Sequence, residues 1–80
     1  MDRKEILLKL QEIFREVTDE EEVVINYDTV ADDVEGWDSL THVQLVVAIE
    51  KYFKIKFTSL EVLSWKKVED MVNSILAKVN

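Results

Sequence analysis

Apolar residues recur at helical spacing near both ends of the chain. At the N-terminal end, a helix from about residue 3 to 17 is predicted by Ile6, Leu7, Leu10, Ile13, Phe14 and Val17. Asp2 and Glu5 are spaced for a capping box, and Glu5 is also spaced for an i,i+4 ion pair with Lys9. At the C-terminal end, a helix from about Lys67 to Val79 is predicted by Val68, Met71, Val72, Ile75, Leu76 and Val79.

Two further helices are predicted between these, a long second helix and a short third one. The second starts at a cap formed by Asp38 or Ser39 and ends near Phe53, and the third covers about residues 59–64. The pattern therefore predicts an all-α fold, a small four-helix bundle with three longer helices, one short helix and a long first loop. No repeat or linker divides the chain, so residues 1–80 are expected to form one domain.

The segment from residue 18 to residue 37 has no helical spacing. Val23, Val24 and Ile25 could form a short strand, but no other segment alternates well enough to pair with it. We therefore predict a long loop, and loops of this length in compact domains are uncommon and often functional. Its expected apolar anchors are Val23, Ile25, Tyr27, Val30 and Val34.

The second helix carries two apolar stripes, although a small bundle needs only one. The inner stripe, expected to face the core, consists of Leu45, Val46, Ile49 and Phe53. The outer stripe consists of Leu40, Val43 and Val47; it shares its side with Gln44 and Lys51, and Glu50 lies at its border. An exposed apolar stripe with a polar rim is typical of a partner-docking patch. The alternative is that the long loop folds over the stripe.

The charge of the chain is concentrated in its middle. The net charge is −7, and eleven acidic residues but no lysine or arginine lie between Glu16 and Glu50. Such a segment repels nucleic acid and attracts basic protein surfaces.

Cysteine is absent, which excludes disulfides and thiolate metal sites. The apolar run near the N terminus is interrupted by polar residues, so neither a signal peptide nor a membrane span is predicted. We expect a cytoplasmic, monomeric protein.

Ser39 could be a helix cap, a nucleophile or an attachment point. His42, the only histidine, lies one helical turn away, but no third catalytic group is evident and the surrounding "GWDSL" does not match G-x-S-x-G. A calcium loop with Gly36 at its sixth position would place Ala31 at the first ligand, so that pattern fails as well. Loose divalent-cation binding by the acidic loop remains open. A phosphate on Ser39 would be stabilised by the start of the helix.

In this context, the Asp-Ser-Leu tripeptide at the start of the second helix resembles that of an acyl carrier protein. The matching residues are Gly36, Asp38, Ser39 and Leu40, followed by "VQLVVAIEKYFKIKF". The similarity covers essentially the whole chain. It implies that the protein is a carrier and no enzyme: Ser39 would receive 4′-phosphopantetheine from coenzyme A through a separate phosphopantetheinyl transferase. Acyl groups would then ride as thioesters on the terminal thiol of this arm.

The resemblance also implies roles for other residues. Asp38 and Leu40 would flank the attached group. Partner docking is expected at Glu35, Asp38, Leu40, Val43, Gln44, Val47 and Glu50. The pocket for the acyl chain is expected at Leu45, Val46, Ile49, Phe53, Ile55 and Phe57. The implied partners are the transferase and acyl-loading, acyl-transferring or condensing enzymes with basic surfaces. These enzymes would belong to fatty-acid, lipid or specialised (polyketide- or polysaccharide-linked) biosynthesis. No metal is expected.

Five residues depart from familiar versions of the family. Thr41 and His42 follow Ser-Leu where an acid is usual, Gln44 and Lys51 replace further acids, and Trp37 replaces the glycine usual in peptidyl carriers. These departures favour a specialised, stand-alone carrier over one of central fatty-acid synthesis. The competing class is an acidic helical interaction module without a prosthetic group, in which Ser39 is only an N-cap.

Overall fold

The computed structural model describes residues 1–79. Its four α-helices are α1 (Arg3–Thr18), α2 (Ser39–Phe53), α3 (Ser59–Ser64) and α4 (Val68–Val79), and a single turn of 3₁₀ helix covers Ala31–Asp33. The predicted all-α four-helix architecture is confirmed, and each helix boundary lies within about one residue of its prediction. Within residues 1–79 there is no strand, so the valine run before Ile25 is part of the loop, as expected.

The capping box predicted at the start of α1 is present. The Asp2 carboxylate accepts from the Glu5 N–H at 2.9 Å, and the Glu5 carboxylate accepts from the Asp2 N–H at 3.2 Å. The predicted pair between Glu5 and Lys9 is wrong. Lys9 donates to Glu12 at 2.6 Å, and its ammonium lies 4.4 Å from the ring centroid of Tyr52 on α2. The Glu5 carboxylate is already bonded within the capping box.

The core is made by one face each of α1, α2 and α4. Among residues 1–79, nine side chains have no exposed surface: Ile6, Leu10, Phe14, Leu45, Ile49, Val68, Met71, Val72 and Ile75. In the described part of the chain, α1 packs against both α2 and α4, and no other helix pair makes a comparable interface. The inner stripe of α2 is only partly as expected, since Leu45 and Ile49 are buried whereas Val46 and Phe53 are half-buried.

The long loop is fastened to both α1 and α4. Two of its predicted anchors, Ile25 and Val34, are buried, and Val23 and Tyr27 pack half-buried against the core. The expectation for Val30 is wrong: it is half-buried but outside the core cluster, because it forms the N-terminal cap of the 3₁₀ turn. The main-chain N–H groups of Val68 and Glu69, at the start of α4, donate to the carbonyls of Thr29 and Tyr27, both at 2.9 Å.

The connection from α2 to α3 is held by a carboxylate of α2. Lys54 ends α2 with a left-handed backbone, at φ +59°. The Glu50 carboxylate then accepts from the main-chain N–H of Phe57 at 2.8 Å. Ile55 and Phe57 pack against the core, and each is half-buried.

Candidate functional site

The start of α2 is capped by Asp38, which settles the two alternatives left by the sequence. Its carboxylate accepts from the N–H groups of Leu40 and Thr41, both at 3.0 Å, and these bonds hold the pKa of Asp38 below its usual value. In return, the Thr41 hydroxyl accepts from the Asp38 N–H at 2.7 Å. Ser39 is therefore not the cap. It is the first residue of the helix, and it is exposed.

Gly36 makes the turn that leads into this cap. Its φ is +87°, a backbone conformation that other residues rarely adopt. A Cβ added there would lie 3.5 Å from the Thr18 side chain, which is ordinary contact, so the backbone angle and not lack of space requires glycine. The Thr41 hydroxyl donates to the Gly36 carbonyl at 2.6 Å and ties the turn to the first turn of α2.

A row of aromatic rings in successive contact starts at Trp37, directly after this turn. The Trp37 ring packs edge-on against Phe14, with centroids 4.8 Å apart, and lies parallel to His42 at 6.1 Å. His42 meets Trp65 edge-on at 6.0 Å, and Trp65 meets Phe57 at 4.9 Å. The row links the loop, α2 and the segment between α3 and α4 through aromatic packing.

Trp37 and His42 are also joined by a hydrogen bond. The indole Nε1–H of Trp37 donates to Nδ1 of His42 at 3.1 Å. In a neutral imidazole the proton must then be on Nε2. Burial of the half-buried ring lowers the pKa of His42, which favours this neutral form.

The sequence predicts no contact between Trp37 and His42: Trp37 stands out only as a departure from the family, and His42 as a departure and as a neighbour of Ser39. Trp65 is not singled out by the sequence. A local signal was available for the first pair. Trp37 precedes the N-cap and His42 is the fourth residue of the helix, which are the positions of a hydrophobic staple. No comparable local signal exists for Trp65, because its contact with His42 depends on tertiary packing.

An open cavity of about 480 Å³, here called the aromatic cleft, lies directly beside Ser39. Its walls are formed by Ala31, Trp37, Asp38, Ser39, His42, Leu63, Trp65 and Lys66. The aromatic row therefore forms part of the surface that borders the Ser39 side chain.

A second cavity, of about 460 Å³, lies between α2 and α3 and is here called the interhelical groove. Its walls are formed by Val43, Val46, Glu50, Phe57, Thr58, Ser59, Val62 and Leu63. Val62 and Leu63 were not predicted, although an apolar pair in a six-residue helix is a usable signal.

The six residues predicted to line an acyl-chain pocket are placed in two different environments. Val46 and Phe57 line the interhelical groove. The remaining four lie in the core or against it: Leu45, Ile49, Phe53 and Ile55. The role of all six in holding a chain stays a prediction.

The outer stripe of α2 is exposed. Leu40, Val43 and Val47 are 69%, 60% and 57% exposed, so the loop does not cover them. On α3, Leu60 and Leu63 are each 80% exposed, and Leu63 lines the interhelical groove together with Val43 of the outer stripe.

The polar residues predicted for docking differ in their availability. Glu35, Asp38 and Gln44 are exposed. Glu50 is half-buried and engaged with the main chain of Phe57, so α2 offers little acidic charge beyond its cap.

Within residues 1–79, no three histidine, aspartate or glutamate side chains are grouped closely enough to hold a metal ion. In the same range, no helix combines the length and apolar character needed to cross a bilayer.

Comparison with known proteins decides the family. The model of the family described as "phosphopantetheine attachment site" matches residues 8–75. The chain belongs to this family of acyl carrier proteins. Among solved structures, the carrier is similar to a holo acyl carrier protein from Geobacter metallireducens, determined by solution NMR, with 38% identity and a TM-score of 0.87. The match covers 92% of this chain and 85% of the other. A search of curated protein sequences finds no significant match.

Family membership establishes the general biochemistry of this carrier. It bears a 4′-phosphopantetheine group, it transports acyl groups, and it is not itself an enzyme. Its partners are, in general terms, a transferase and biosynthetic enzymes. The alternative of an interaction module without a prosthetic group is therefore set aside.

Proposed function

We propose that Ser39 carries the 4′-phosphopantetheine arm. The observation that supports this most is that Asp38 is the helix cap, so Ser39 is exposed and its hydroxyl is not needed for capping. Attachment forms a phosphodiester between the Ser39 oxygen and the phosphate of phosphopantetheine, and the adenosine bisphosphate part of coenzyme A leaves. The bound group supplies the thiol that this cysteine-free chain lacks.

The residues around Ser39 fit this group. The Gly36 turn and the bonds of Asp38 and Thr41 fix the first turn of α2, so the hydroxyl is presented from a rigid position. The Asp38 carboxylate is exposed and, with its lowered pKa, stays ionised at neutral pH. Together with Glu35 it gives the transferase an acidic surface next to the hydroxyl.

Partner enzymes would dock on the outer stripe and its rim. Leu40, Val43 and Val47 supply exposed apolar contact, and Gln44 lies beside them. Glu50 contributes mainly by holding the connection to α3 in place. Interfaces of this kind have an apolar centre and a polar rim.

An acyl chain would enter the bundle through the interhelical groove. Val46 and Phe57 already line the groove, and Leu45, Ile49, Phe53 and Ile55 lie behind them in or against the core. The chain could reach these four only if α3 moved aside. α3 suits that movement because it contributes no buried residue.

We further propose that the partners belong to a specialised pathway and not to general fatty-acid elongation. The only acid within α2 is Glu50, whose carboxylate is engaged with Phe57, while Gln44 and Lys51 are exposed on the helix. Enzymes whose basic surfaces recognise acids along this helix would find few of them here.

The first experiment tests the attachment site. The purified apo chain is incubated with coenzyme A and a broad-specificity phosphopantetheinyl transferase, and its intact mass is measured. We expect the wild type to gain one phosphopantetheine and Ser39→Ala to gain none. The matched control is Ser59→Ala, because Ser59 is also the exposed first residue of a helix capped by its predecessor, Thr58. Full modification of Ser39→Ala would move the site elsewhere.

A further inference from the structure

The aromatic cleft has no role in the function proposed so far. Trp37, His42 and Trp65 form a connected set of rings, yet docking and acyl binding were assigned to other surfaces. The cleft of about 480 Å³ falls within the roughly 300–1,000 Å³ range of small-molecule sites. Ser39 is part of its wall, so any group attached there begins inside the cleft.

Taking Ser39 as the attachment site, as proposed above, we propose that the aromatic cleft holds the carrier's own arm: Trp37 and Trp65 flank its pantetheine part, and Lys66 faces its phosphate. The cleft would be a resting place for the arm, separate from the interhelical groove that takes the acyl chain.

The hydrogen-bonding groups of the cleft suit a ligand that contains amides. Both indole N–H groups are occupied, since Trp37 donates to His42 and Trp65 donates to the Ser74 hydroxyl at 2.9 Å. The indole rings therefore present apolar surface to the methyl and methylene groups of pantetheine. His42 in its neutral form carries a proton on Nε2, which is a donor for an amide carbonyl.

The charge in the wall suits a phosphodiester. Lys66 lines the cleft, and it forms no ion pair with any residue in the range 1–79, unlike Lys9, Lys67 and Lys78. Its main-chain N–H is bound by the Asp70 carboxylate at 2.8 Å, which fixes the backbone that carries its side chain. Asp38 on the same wall repels a phosphate, so Lys66 supplies the compensating positive charge.

A covalent tether allows even a weak site to be occupied. A ligand attached to the wall of its own site has an effective concentration of roughly 1 mM, so an intrinsic dissociation constant near that value gives about half occupancy. Weak binding also serves the carrier, because the arm must leave the cleft whenever an enzyme needs the thiol.

The two cavities share Leu63 but differ in their relation to Ser39. The interhelical groove does not include Ser39 in its walls, whereas the cleft does. The near part of the arm can therefore lie in the cleft while its far end turns past Leu63 toward the groove. In this arrangement the exposed Leu63 would separate the cleft that holds the arm from the groove that holds the acyl chain.

The test uses NMR on the full chain, with isotope labelling of the protein, before and after transfer of an unlabelled arm. Intact mass first confirms that the arm is attached. We expect the indole N–H signals of Trp37 and Trp65 to shift on loading, and nuclear Overhauser contacts to connect the geminal methyl groups of the arm with these rings. Lys66→Gln should weaken those contacts and reduce the shifts, whereas Lys51→Gln, an exposed lysine on α2 outside the cleft, should leave both unchanged.

Each outcome separates this inference from the proposed function. If no mass is gained, Ser39 is not the attachment site and the proposed function fails. If the arm is attached but shows no nuclear Overhauser contact with the protein, or shows contacts only with Val46 and Val62 of the interhelical groove, the attachment stands and the cleft proposal is overturned. Equal contacts in Lys66→Gln and wild type would overturn the role of the lysine. Because Lys66 is exposed, this variant is expected to fold normally.

Discussion

The two sides of the bundle differ in how they are held together. On the closed side, α1, α4 and the inner stripe of α2 bury nine side chains completely. On the open side, α3 buries none, and Leu60 and Leu63 are 80% exposed. α3 is held instead by polar contacts of its first turn, such as the ion pair between the Glu61 carboxylate and the Lys78 ammonium at 3.2 Å. Ion pairs at a protein surface stabilise a fold by only about 0–1 kcal/mol.

The two sides of the bundle therefore have different roles. The closed side supplies the stability of the domain, because complete burial of apolar side chains is the main favourable term in folding. The open side presents the outer stripe, the interhelical groove and the aromatic cleft. Since α3 contributes little to the core, it can move to admit a chain without unfolding the rest. Four predictions test this separation.

The largest effect is expected from truncating a core side chain on the closed side. Phe14 is fully buried, so Phe14→Ala should lower the free energy of unfolding by about 3–5 kcal/mol. Leu8→Ala, on the same helix but 54% exposed, should change it by less than about 0.5 kcal/mol. Urea unfolding followed by circular dichroism measures both. Similar losses in the two variants would mean that the closed side does not concentrate the stability.

A charge placed in the outer stripe should affect partners and not folding. Val43 is 60% exposed, so Val43→Asp should leave the unfolding free energy nearly unchanged but reduce kcat/KM with partner enzymes by roughly tenfold, because the aspartate must be desolvated in the interface. Val24→Asp is the matched control, since Val24 is 73% exposed on the loop. If Val43→Asp unfolds the chain, or if both variants lose activity equally, the outer stripe is not the docking surface.

Acids added along α2 should give a smaller gain with enzymes of general fatty-acid elongation. Gln44→Glu combined with Lys51→Glu should raise their turnover roughly threefold at low salt, and added salt should reduce the gain. Thr41 is left unchanged, because an aspartate there could not donate to the Gly36 carbonyl.

The control for the added acids is Lys4→Glu with Asn73→Glu, which changes the net charge equally at exposed positions on α1 and α4. Steady-state condensation assays at two ionic strengths measure the effect. Efficient turnover of the wild type by these enzymes, with no gain in the variant, would indicate an ordinary fatty-acid carrier.

The smallest effect is expected from the ionisation of His42. Its pKa is lowered by burial, so the unfolded state binds more protons below the ordinary value of 6.5. The contribution of the neutral His42 ring to the unfolding free energy should therefore be fully present above pH 6.5. It should decrease as the pH falls toward the lowered pKa of the folded state. The charged residues that line the aromatic cleft together with His42 are Asp38, one helical turn earlier, and Lys66.

The pH effect is isolated by comparing unfolding free energies of wild type and His42→Gln between about pH 5 and pH 8. The difference between them should shrink as the pH falls. The stability contributed by the ionised Asp38 carboxylate is also lost in acid, but at lower pH, since its lowered pKa lies below 3.8. A difference that stays constant over the whole range would show that the ring does not titrate differently in the two states.

The sequence predicted the helices on both sides of the bundle better than it predicted contacts between side chains. Helical spacing located α1 and α4 to within about one residue, because a buried face leaves a periodic record in the chain. The ion pair between Glu5 and Lys9 does not form because Glu5 completes the capping box and Lys9 binds Glu12 and the ring of Tyr52 instead. Of these contacts, only the one with Tyr52 depends on tertiary packing and leaves no local pattern.

The candidate site shows the same limit. The position of Ser39 at the start of α2 followed from local capping chemistry, and the exposure of the outer stripe followed from counting apolar faces. The aromatic cleft could not be predicted, because it exists only where the loop, α2 and the residues after α3 meet. Val30 failed as an anchor for a related reason, since its hydrophobicity does not reveal that its backbone caps a turn.

The bonds from the start of α4 to the loop have a consequence for hydrogen exchange. The amides of Val68 and Glu69 are bonded to Thr29 and Tyr27, not to carbonyls of their own helix, which cannot satisfy the first N–H groups. Their exchange with deuterium should thus measure how often the loop lifts from the bundle, independently of α4 unwinding. Because neither bond involves α3, protection at these two amides should persist even while that helix is displaced by cargo.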